Sequence, residues 1–391
     1  IHHKLQCEGA VTNVKPIRDI ENPIHRRFVA SALLRLKDRL KSDILAGAEA
    51  ETQSLRLASW NLMHFGNGGA YTREAESMMY IAEIIDHFDL VAIQEVNENL
   101  AALETLFRDH LGSGWDYIVT DTTEGSKGNG ERLAFAFRKS KVWFRREAGE
   151  IVLPTGQKIV EPGRASDAGD AAVGRDDDDA DGVQFARTPF SVAFQSGWFK
   201  FKLCTVHIFY GNASETSPEM AHRREEIRRI ADFLAARQSK EQKVQGKAAN
   251  FVLLGDFNIV SPEHHTMQAL EGAGFVIPEA IKNAPTSLSG KHHYDQIAFR
   301  LADDRFSLLR SGVFSMFDVI YRNDDSDHYL DHVWGTAFDR NSDGNLRTRD
   351  QKENYYRRYY RKHQMSDHKL LWCEIQTDFS KDYLNAVLGD G

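Results

Sequence analysis

Apolar and polar positions along this 391-residue chain repeat with two different periods. Short apolar runs, of the kind that form strands buried on both faces, occur at 55–62, 89–96, 199–207 and 250–256. Between the first two, Met78, Ile81, Ala82, Ile85 and Phe88 keep the spacing of an amphipathic helix. A helix over 99–110 and a strand over 115–119 continue the series. This β-α-β-α-β alternation predicts an α/β fold, a layered sandwich.

Further along, 131–138 reads as a strand with 141–145 as its hairpin partner, and 190–194 as another strand. Met220, Ile227, Ile230, Ala231 and Leu234 mark the inner face of a long helix over 218–237. A short helix over 262–271 and strands over 294–299 and 370–375 complete the pattern. At the start, 1–22 is an aperiodic arm, and Phe28, Leu33, Leu36 and Leu40 predict a helix over 25–48 packed on the main domain. Two stretches interrupt the alternation. Residues 154–186 are acidic and Gly/Ala-rich, with Asp176, Asp177, Asp178 and Asp179 at their centre, and 314–364 are polar and aromatic. No repeat and no linker divides two cores. The expected organisation is an arm and helix over 1–54, one domain over 55–380 carrying both insertions, and a tail over 381–391.

Composition narrows this little. The chain is 41% hydrophobic and 27% charged, a globular balance, and has no apolar run that would span a bilayer. No membrane association and no obligate protein partner is expected. A net charge of −8 gives no global basic field, so a polyanion would have to be met by local cations and a metal. Cys7, Cys204 and Cys373 are widely spaced, and the latter two fall in strand runs as small core residues. Without a disulfide framework a cytoplasmic setting is favoured over a secreted one. Ile1 in place of Met leaves the second open, because the start is trimmed or processed.

The chemistry collects where strands end. The run 250–254 leads through Gly255 to Asp256 and Asn258, whose spacing of two points both side chains to one side of an extended backbone. A carboxylate and a carboxamide there can activate and orient a water; the same string also reads as an Asp-x-Asn turn. Asn61, Glu95, His207, Asp295 and the pair Asp367 and His368 likewise sit at strand ends. Each alone has a structural explanation, as a turn cap, a surface ion pair or an interior histidine. Strand ends on one edge of a layered sheet, however, converge on one cleft.

Six strings occur in the order found in the endonuclease/exonuclease/phosphatase superfamily, which the chain resembles over 55–377. They are Ser59-Trp60-Asn61, Ile93-Gln94-Glu95-Val96, Val206-His207, Gly255-Asp256-Phe257-Asn258, Tyr294-Asp295-Gln296-Ile297 and Ser366-Asp367-His368. The resemblance implies a deoxyribonuclease I-like four-layer α/β sandwich, two packed mixed β-sheets flanked by helices. It also implies a metal-dependent phosphodiesterase. Gly130-Glu131-Arg132-Leu133 resembles the strand supplying a Glu partner to the first catalytic His, and Arg187-Thr188-Pro189 the start whose Arg faces the scissile phosphate. On that basis Asn61, Glu95 and Asp367 would offer oxygen ligands to Mg²⁺ or Mn²⁺. Asp256 would orient the attacking water, with Asn258 fixing that geometry. Glu131 with His207, and Asp295 with His368, would form carboxylate–histidine couples, and Arg187 would hold a phosphate oxygen. The implied substrate is nucleic acid, DNA before RNA.

The chain departs from the pancreatic-type pattern in two places. It has no cysteine pair suited to that branch's disulfides, and Lys127-Gly128-Asn129 stands where a groove tyrosine is expected. Phosphoinositide phosphatases and sphingomyelinases share the fold, and a non-catalytic binding module could inherit it. The Pro-Ala-Trp-type string of the phosphatases is missing, and none of the expected catalytic residues is lost.

Two strings in the second insertion stand outside that set. Residues 355–362 interleave four tyrosines with Arg357, Arg358, Arg361 and Lys362. They read as a nucleic-acid contact or, equally, as a solvated helix face over packed tyrosines. Residues 339–350 match a twelve-residue Ca²⁺ loop, with Asp339, Asn341 and Asp343 at positions one, three and five, Asn345 at seven and Asp350 at twelve. The shorter Asp at twelve and the neighbouring Arg347 and Arg349 favour a polar turn instead.

Overall fold

The apolar runs become strands because each turns alternate side chains toward a facing sheet and toward covering helices. Among the residues described by the computed structural model (12–46, 53–123, 128–159, 182–302, 305–341 and 343–389), eleven strands form two sheets. Cys7, Lys127 and the run Asp176 to Asp179 lie outside the described residues. The strands are β1 (Ser54–Phe65), β2 (Leu90–Val96), β3 (Trp115–Val119), β4 (Arg132–Arg138), β5 (Trp143–Glu150) and β6 (Phe190–Ser196). They continue with β7 (Phe199–His207), β8 (Asn250–Asp256), β9 (Asp295–Arg300), β10 (Leu308–Phe314) and β11 (Leu370–Gln376). One sheet runs β10-β11-β1-β2-β4-β3 and the other β5-β6-β7-β8-β9.

Each sheet is mixed, and its direction changes position the site. β1 and β2 pair in parallel, as do β7 and β8, and every other neighbour is antiparallel. The four parallel strands therefore finish at one edge of the sandwich, bringing Asn61, Glu95, His207 and Asp256 to it. β4, β9 and β11 start from that same edge, so Glu131, Asp295 and His368 arrive from the opposite chain direction.

Leu55, Leu57, Leu90, Ala92, Leu133 and Phe135 fill the layer between the sheets with Phe194, Phe201 and Leu203. The alternate residues Ala58, Trp60, Leu62, Val91, Ile93 and Ala134 pack outward into a second core. The N-terminal helix Pro23–Leu40 joins that second core through Val29, Leu33, Leu36 and Leu40. Asn22 caps it, its side chain accepting from the amides of Ile24 and His25. The second insertion adds Phe314, Met316, Tyr329 and Tyr356 to the same core, so it covers the first sheet rather than extending into solvent. The long helix Pro218–Gln245 covers the other sheet with Ile227, Ile230, Ala231 and Leu234.

Two expectations need correction. The hairpin between 131–138 and 141–145 does not form, because β4 already has β2 on one edge and β3 on the other. β5 instead crosses to the second sheet and pairs with β6. β10 was not expected at all; it fills the edge beside β11. Among the described residues no helix is long and apolar enough to cross a membrane, and Cys204 and Cys373 are buried free thiols.

Candidate active site

β8 passes so close to β7 that a Cβ on Gly255 would collide with the Val206 carbonyl oxygen and stand 2.8 Å from the Val206 nitrogen. Gly255 also has φ +133°, a region open in practice to glycine alone. That close passage delivers Asp256 into the layer between the sheets, where it is 2% exposed. Its Oδ1 accepts from the Asn258 amide at 2.9 Å, and its Oδ2 accepts from Asn61 Nδ2 at 3.1 Å. Oδ2 also lies 3.6 Å from Nε2 of both His207 and His368.

Each histidine is backed by a second carboxylate. His207 Nδ1 is 2.7 Å from Glu131 Oε2, and His368 Nδ1 is 2.8 Å from Asp295 Oδ2. These bonds fix which nitrogen carries the proton on that side and leave both Nε2 atoms facing Asp256. Burial and Arg187 work against a charge on His207, but Glu131 and Asp256 outweigh them and raise its pKa. Burial likewise opposes the His368 charge, and Asp295 and Asp256 raise its pKa well above the ordinary histidine value. Burial opposes the Glu131 carboxylate too, yet His207 and Arg187 bring its pKa down to about 2. Burial also opposes the Asp256 carboxylate, and the two histidines still hold its pKa low. Asp295 differs: burial dominates and raises its pKa, and its Oδ1 is buried without a partner.

Glu95 reaches this knot through a backbone irregularity. Strict alternation after Ala92 and Gln94 would turn it toward the helices, but its φ of +60° and shifts in register with β1 and β4 break the period. Its Oε1 then accepts from Asn61 Nδ2 at 2.7 Å and lies 3.8 Å from His207 Nε2, while Oε2 accepts from the His64 amide at 2.9 Å. Asn258 is also left-handed, at φ +54°, and its carboxamide donates to the Ile208 carbonyl at 2.8 Å. It therefore braces the loop after His207, and its main-chain N–H, not its side chain, steadies Asp256.

Not every expected residue joins the knot. Arg187 pairs with Glu131, Nε to Oε2 at 2.8 Å, with its Nη1 buried and unpartnered. Asp367 is half-buried and makes none of the contacts that gather the others; its charge is felt by Arg73, His363 and His368. The loop 339–350 does not assemble its five Ca²⁺-ligand positions. Asp339 is paired with Lys352, the Asn341 side-chain oxygen accepts from the amides of Asp343 and Asn345, and Asp350 lies in the first turn of the helix Arg349–Tyr355. In the basic tract, Arg357 pairs with Glu353, while Arg361 turns inward and stacks on Phe317 at 4.5 Å. Arg358 is exposed and Lys362 half-exposed.

Sequence reasoning missed the residues that hold this arrangement. Gln94 is buried between the sheets and donates to Ser59 at 3.2 Å and Thr205 at 2.9 Å, tying β1, β2 and β7 beneath the site. Thr286 accepts from the Asp295 amide with its hydroxyl and from the Lys369 amide with its carbonyl, joining the starts of β9 and β11. Arg73 donates to the carbonyls of Leu62, Met63, His363 and Met365, clasping the end of β1 to the approach to β11. Gln94 lay inside a matched string, but neither Thr286 nor Arg73 carries a local signal.

The donors fit a hard divalent cation. Ligand atoms of Asp256, Asp295 and His368 lie within 4.8 Å of one another, although Asp295 and His368 already engage each other. Glu95 adds a carboxylate 13% exposed toward the cleft, beside the Asn61 carboxamide.

The two mixed sheets flanked by helices, with two carboxylate–histidine couples around one buried Asp at a shared edge, are the architecture to which known families can be compared. Residues 58–368 match the Endonuclease/Exonuclease/phosphatase family, and the chain belongs to it. Hydrolases of this family act on phosphodiester or phosphate esters and typically depend on a divalent metal. A deoxyribonuclease of Thioalkalivibrio sp. (strain K90mix) is 32% identical over 224 residues, which cover 55% of this chain and 49% of that protein. The chain thus spans about half the length of this curated relative. Among solved structures, a family protein from Bacteroides thetaiotaomicron shares 18% identity at TM-score 0.47, covering 84% of this chain and all of its own. A mannosyl-6-phosphatase of the same organism shares 19% at TM-score 0.46, covering 82% of this chain and 99% of its own.

Proposed function

We propose that this protein is a metal-dependent nuclease that hydrolyses phosphodiester bonds of nucleic acid, DNA in preference to RNA, by internal cleavage. The observation carrying the proposal is the placement of Asp256 Oδ2 3.6 Å from both histidine Nε2 atoms, each histidine being held from behind by a carboxylate. Asp256 orients the attacking water and accepts its proton, and the Asn258 amide keeps the carboxylate in place. His207 and His368, kept charged by their partners, neutralise phosphate oxygens, and one of them supplies the proton to the leaving oxygen. Arg187 both fixes Glu131 and directs its unpartnered Nη1 to a phosphate oxygen. Asn61, Glu95 and Asp367 would hold Mg²⁺ or Mn²⁺, which when bound would stabilise charge developing on the phosphate. The 32% identity to a deoxyribonuclease supports the choice of substrate.

Plasmid nicking in Mg²⁺, abolished by EDTA, is the expected result. A protein that instead releases phosphate from phosphoinositides, or phosphocholine from sphingomyelin, and leaves plasmid intact would be a sister activity on the same fold. Absence of all three reactions would leave only a binding role.

A further inference from the structure

A line of five aromatic rings leaves the metal-binding end of the site and runs out over the second insertion. It starts at His64, whose amide donates to Glu95 and whose ring Nδ1 is 3.5 Å from Glu95 Oε2. His64 meets Tyr71 at 4.6 Å between ring centroids, and Tyr71 meets His363 at 4.6 Å. From His363 the line continues to Tyr359 at 6.4 Å and from there to Tyr355 at 5.9 Å, the last two rings being stacked. These rings come from three separate segments of the chain, and every one keeps accessible surface; Tyr359 is 50% exposed.

The helical stretch at 349–364 sorts its tyrosines by face. Tyr356, Tyr360 and Gln364 follow a four-residue stride and are buried, Tyr356 and Tyr360 in the outer core. Tyr355, Tyr359 and His363 follow the same stride one residue earlier: Tyr359 is exposed, and Tyr355 and His363 are half-buried, Tyr355 resting against Trp334 and Phe338 with Arg347 over its ring. Arg358 and Lys362 lie between them on that outer face, without an ion pair among the described residues. A row of accessible rings edged by unpaired cations matches one ligand chemistry: unpaired bases on a phosphate chain. A duplex hides its base faces in its own stack and would meet only the cations.

We propose that the ladder from His64 to Tyr355 is a binding track for single-stranded nucleic acid, carrying the strand beside the scissile phosphate. The track rests on the nuclease reading for its substrate class and adds to it the form of that substrate. It selects a strand end, flap or unpaired segment over continuous duplex. Tyr71, in contact with both histidines, supports the ring nearest the centre, and Tyr359 supplies the most open stacking face.

The test is fluorescence anisotropy with a labelled oligothymidylate of about twelve nucleotides and a duplex of equal length, in EDTA so that nothing is cleaved. Tyr359→Ala is expected to raise the Kd for the single strand by about 5- to 100-fold while changing duplex affinity far less. Tyr359→Phe keeps the ring and should retain tight binding. Tyr383→Ala removes a half-exposed tyrosine on the C-terminal helix Ser380–Gly389 that lies beside Trp198, and should bind as wild type. Arg358→Ala should flatten the salt dependence of single-strand binding. The track is overturned if wild type does not bind the oligonucleotide, if Tyr359→Ala binds it unchanged, or if single strand and duplex weaken equally. Mg²⁺-dependent cleavage by wild type of the same labelled oligonucleotide, and of plasmid, reads the nuclease centre separately. Cleavage with an unchanged Tyr359→Ala affinity removes the track and keeps the nuclease. Tyrosine-dependent single-strand binding without cleavage keeps the track and removes the nuclease.

Discussion

Glu131 holds His207 at 2.7 Å and is itself held by Arg187 at 2.8 Å, so one carboxylate positions a histidine and pairs with a buried cation at once. Glu131→Gln should therefore act on two observables. Arg187 would be left buried without its charge partner, a loss of about 3–5 kcal/mol in unfolding free energy. His207 would lose the charge that raises its pKa, and turnover should fall by about 10- to 100-fold. Urea denaturation reads the first effect, and histidine titration by NMR with a nicking assay reads the second. An unchanged His207 titration would show that Glu131 does not govern it.

Turnover should depend more steeply on Asp256. Asp256→Asn keeps the size of the side chain but removes the base, so the rate should fall by about 10²- to 10⁴-fold. Glu95→Gln should act differently, raising the Mg²⁺ concentration needed for half-maximal nicking. Equal metal dependence in wild type and Glu95→Gln would take Glu95 out of the metal site.

Much of this site was legible because it uses strand ends, and strand ends are marked by an apolar run stopping at a polar residue. His207 and Asp256 obey that rule, whereas β1 runs on past Asn61 to Phe65. Glu95 reaches the cleft only through a left-handed backbone, which periodicity does not encode. The pairing of β5 with β6 was hidden for another reason. Alternation marks a strand but not its neighbour, and here β2 and β3 had taken both edges of β4. The line of rings joins His64, Tyr71 and the 355–363 stretch, three segments far apart in sequence, so only the folded chain reveals it. In the basic tract the sequence could not say which cations face out; Arg361 stacks inward on Phe317, whereas Arg358 remains exposed.

Metal-free stability should fall as the solution becomes alkaline. His207 and His368 both have folded-state pKa values above the unfolded value of about 6.5. Their contribution is complete below that pH and disappears as pH rises through the raised folded values. In EDTA, the urea midpoint should therefore decline from about pH 6.5 upward. His368→Gln, which cannot take the proton, should show a shallower decline. A midpoint of wild type that rises between neutral and alkaline pH would contradict this assignment.

Calcium should leave the melting temperature of wild type unchanged at the loop 339–350. Lys352 already neutralises Asp339, and the Asn341 oxygen that would face an ion closes the turn by accepting two amides. Arg340 and Arg347 further fill the loop with donors to its carbonyls, at 2.6 Å to Gly344 and 2.7 Å to Arg340. Asp343→Ala, at an exposed turn, should melt within about 0.5 kcal/mol of wild type, with or without calcium. A calcium-dependent rise in wild type that is lost in Asp343→Ala would restore the ion site.

Gly255→Ala should damage the centre without touching any polar group. The added methyl meets the Val206 backbone, which cannot move aside because β7 and β8 are paired along their length from Phe201 to His207. The backbone angle is also one that alanine avoids, so strain and collision add to about 3 kcal/mol or more. Relief requires β8 to separate from β7, and the residue carried out of place is Asp256, whose 3.6 Å approach to both histidines depends on that strand. The expected variant is folded at low temperature, melts well below wild type, and nicks plasmid far more slowly while every catalytic side chain is still present. Wild-type stability and rate in Gly255→Ala would mean that the strand accommodates a side chain and that the close passage is not what aims Asp256.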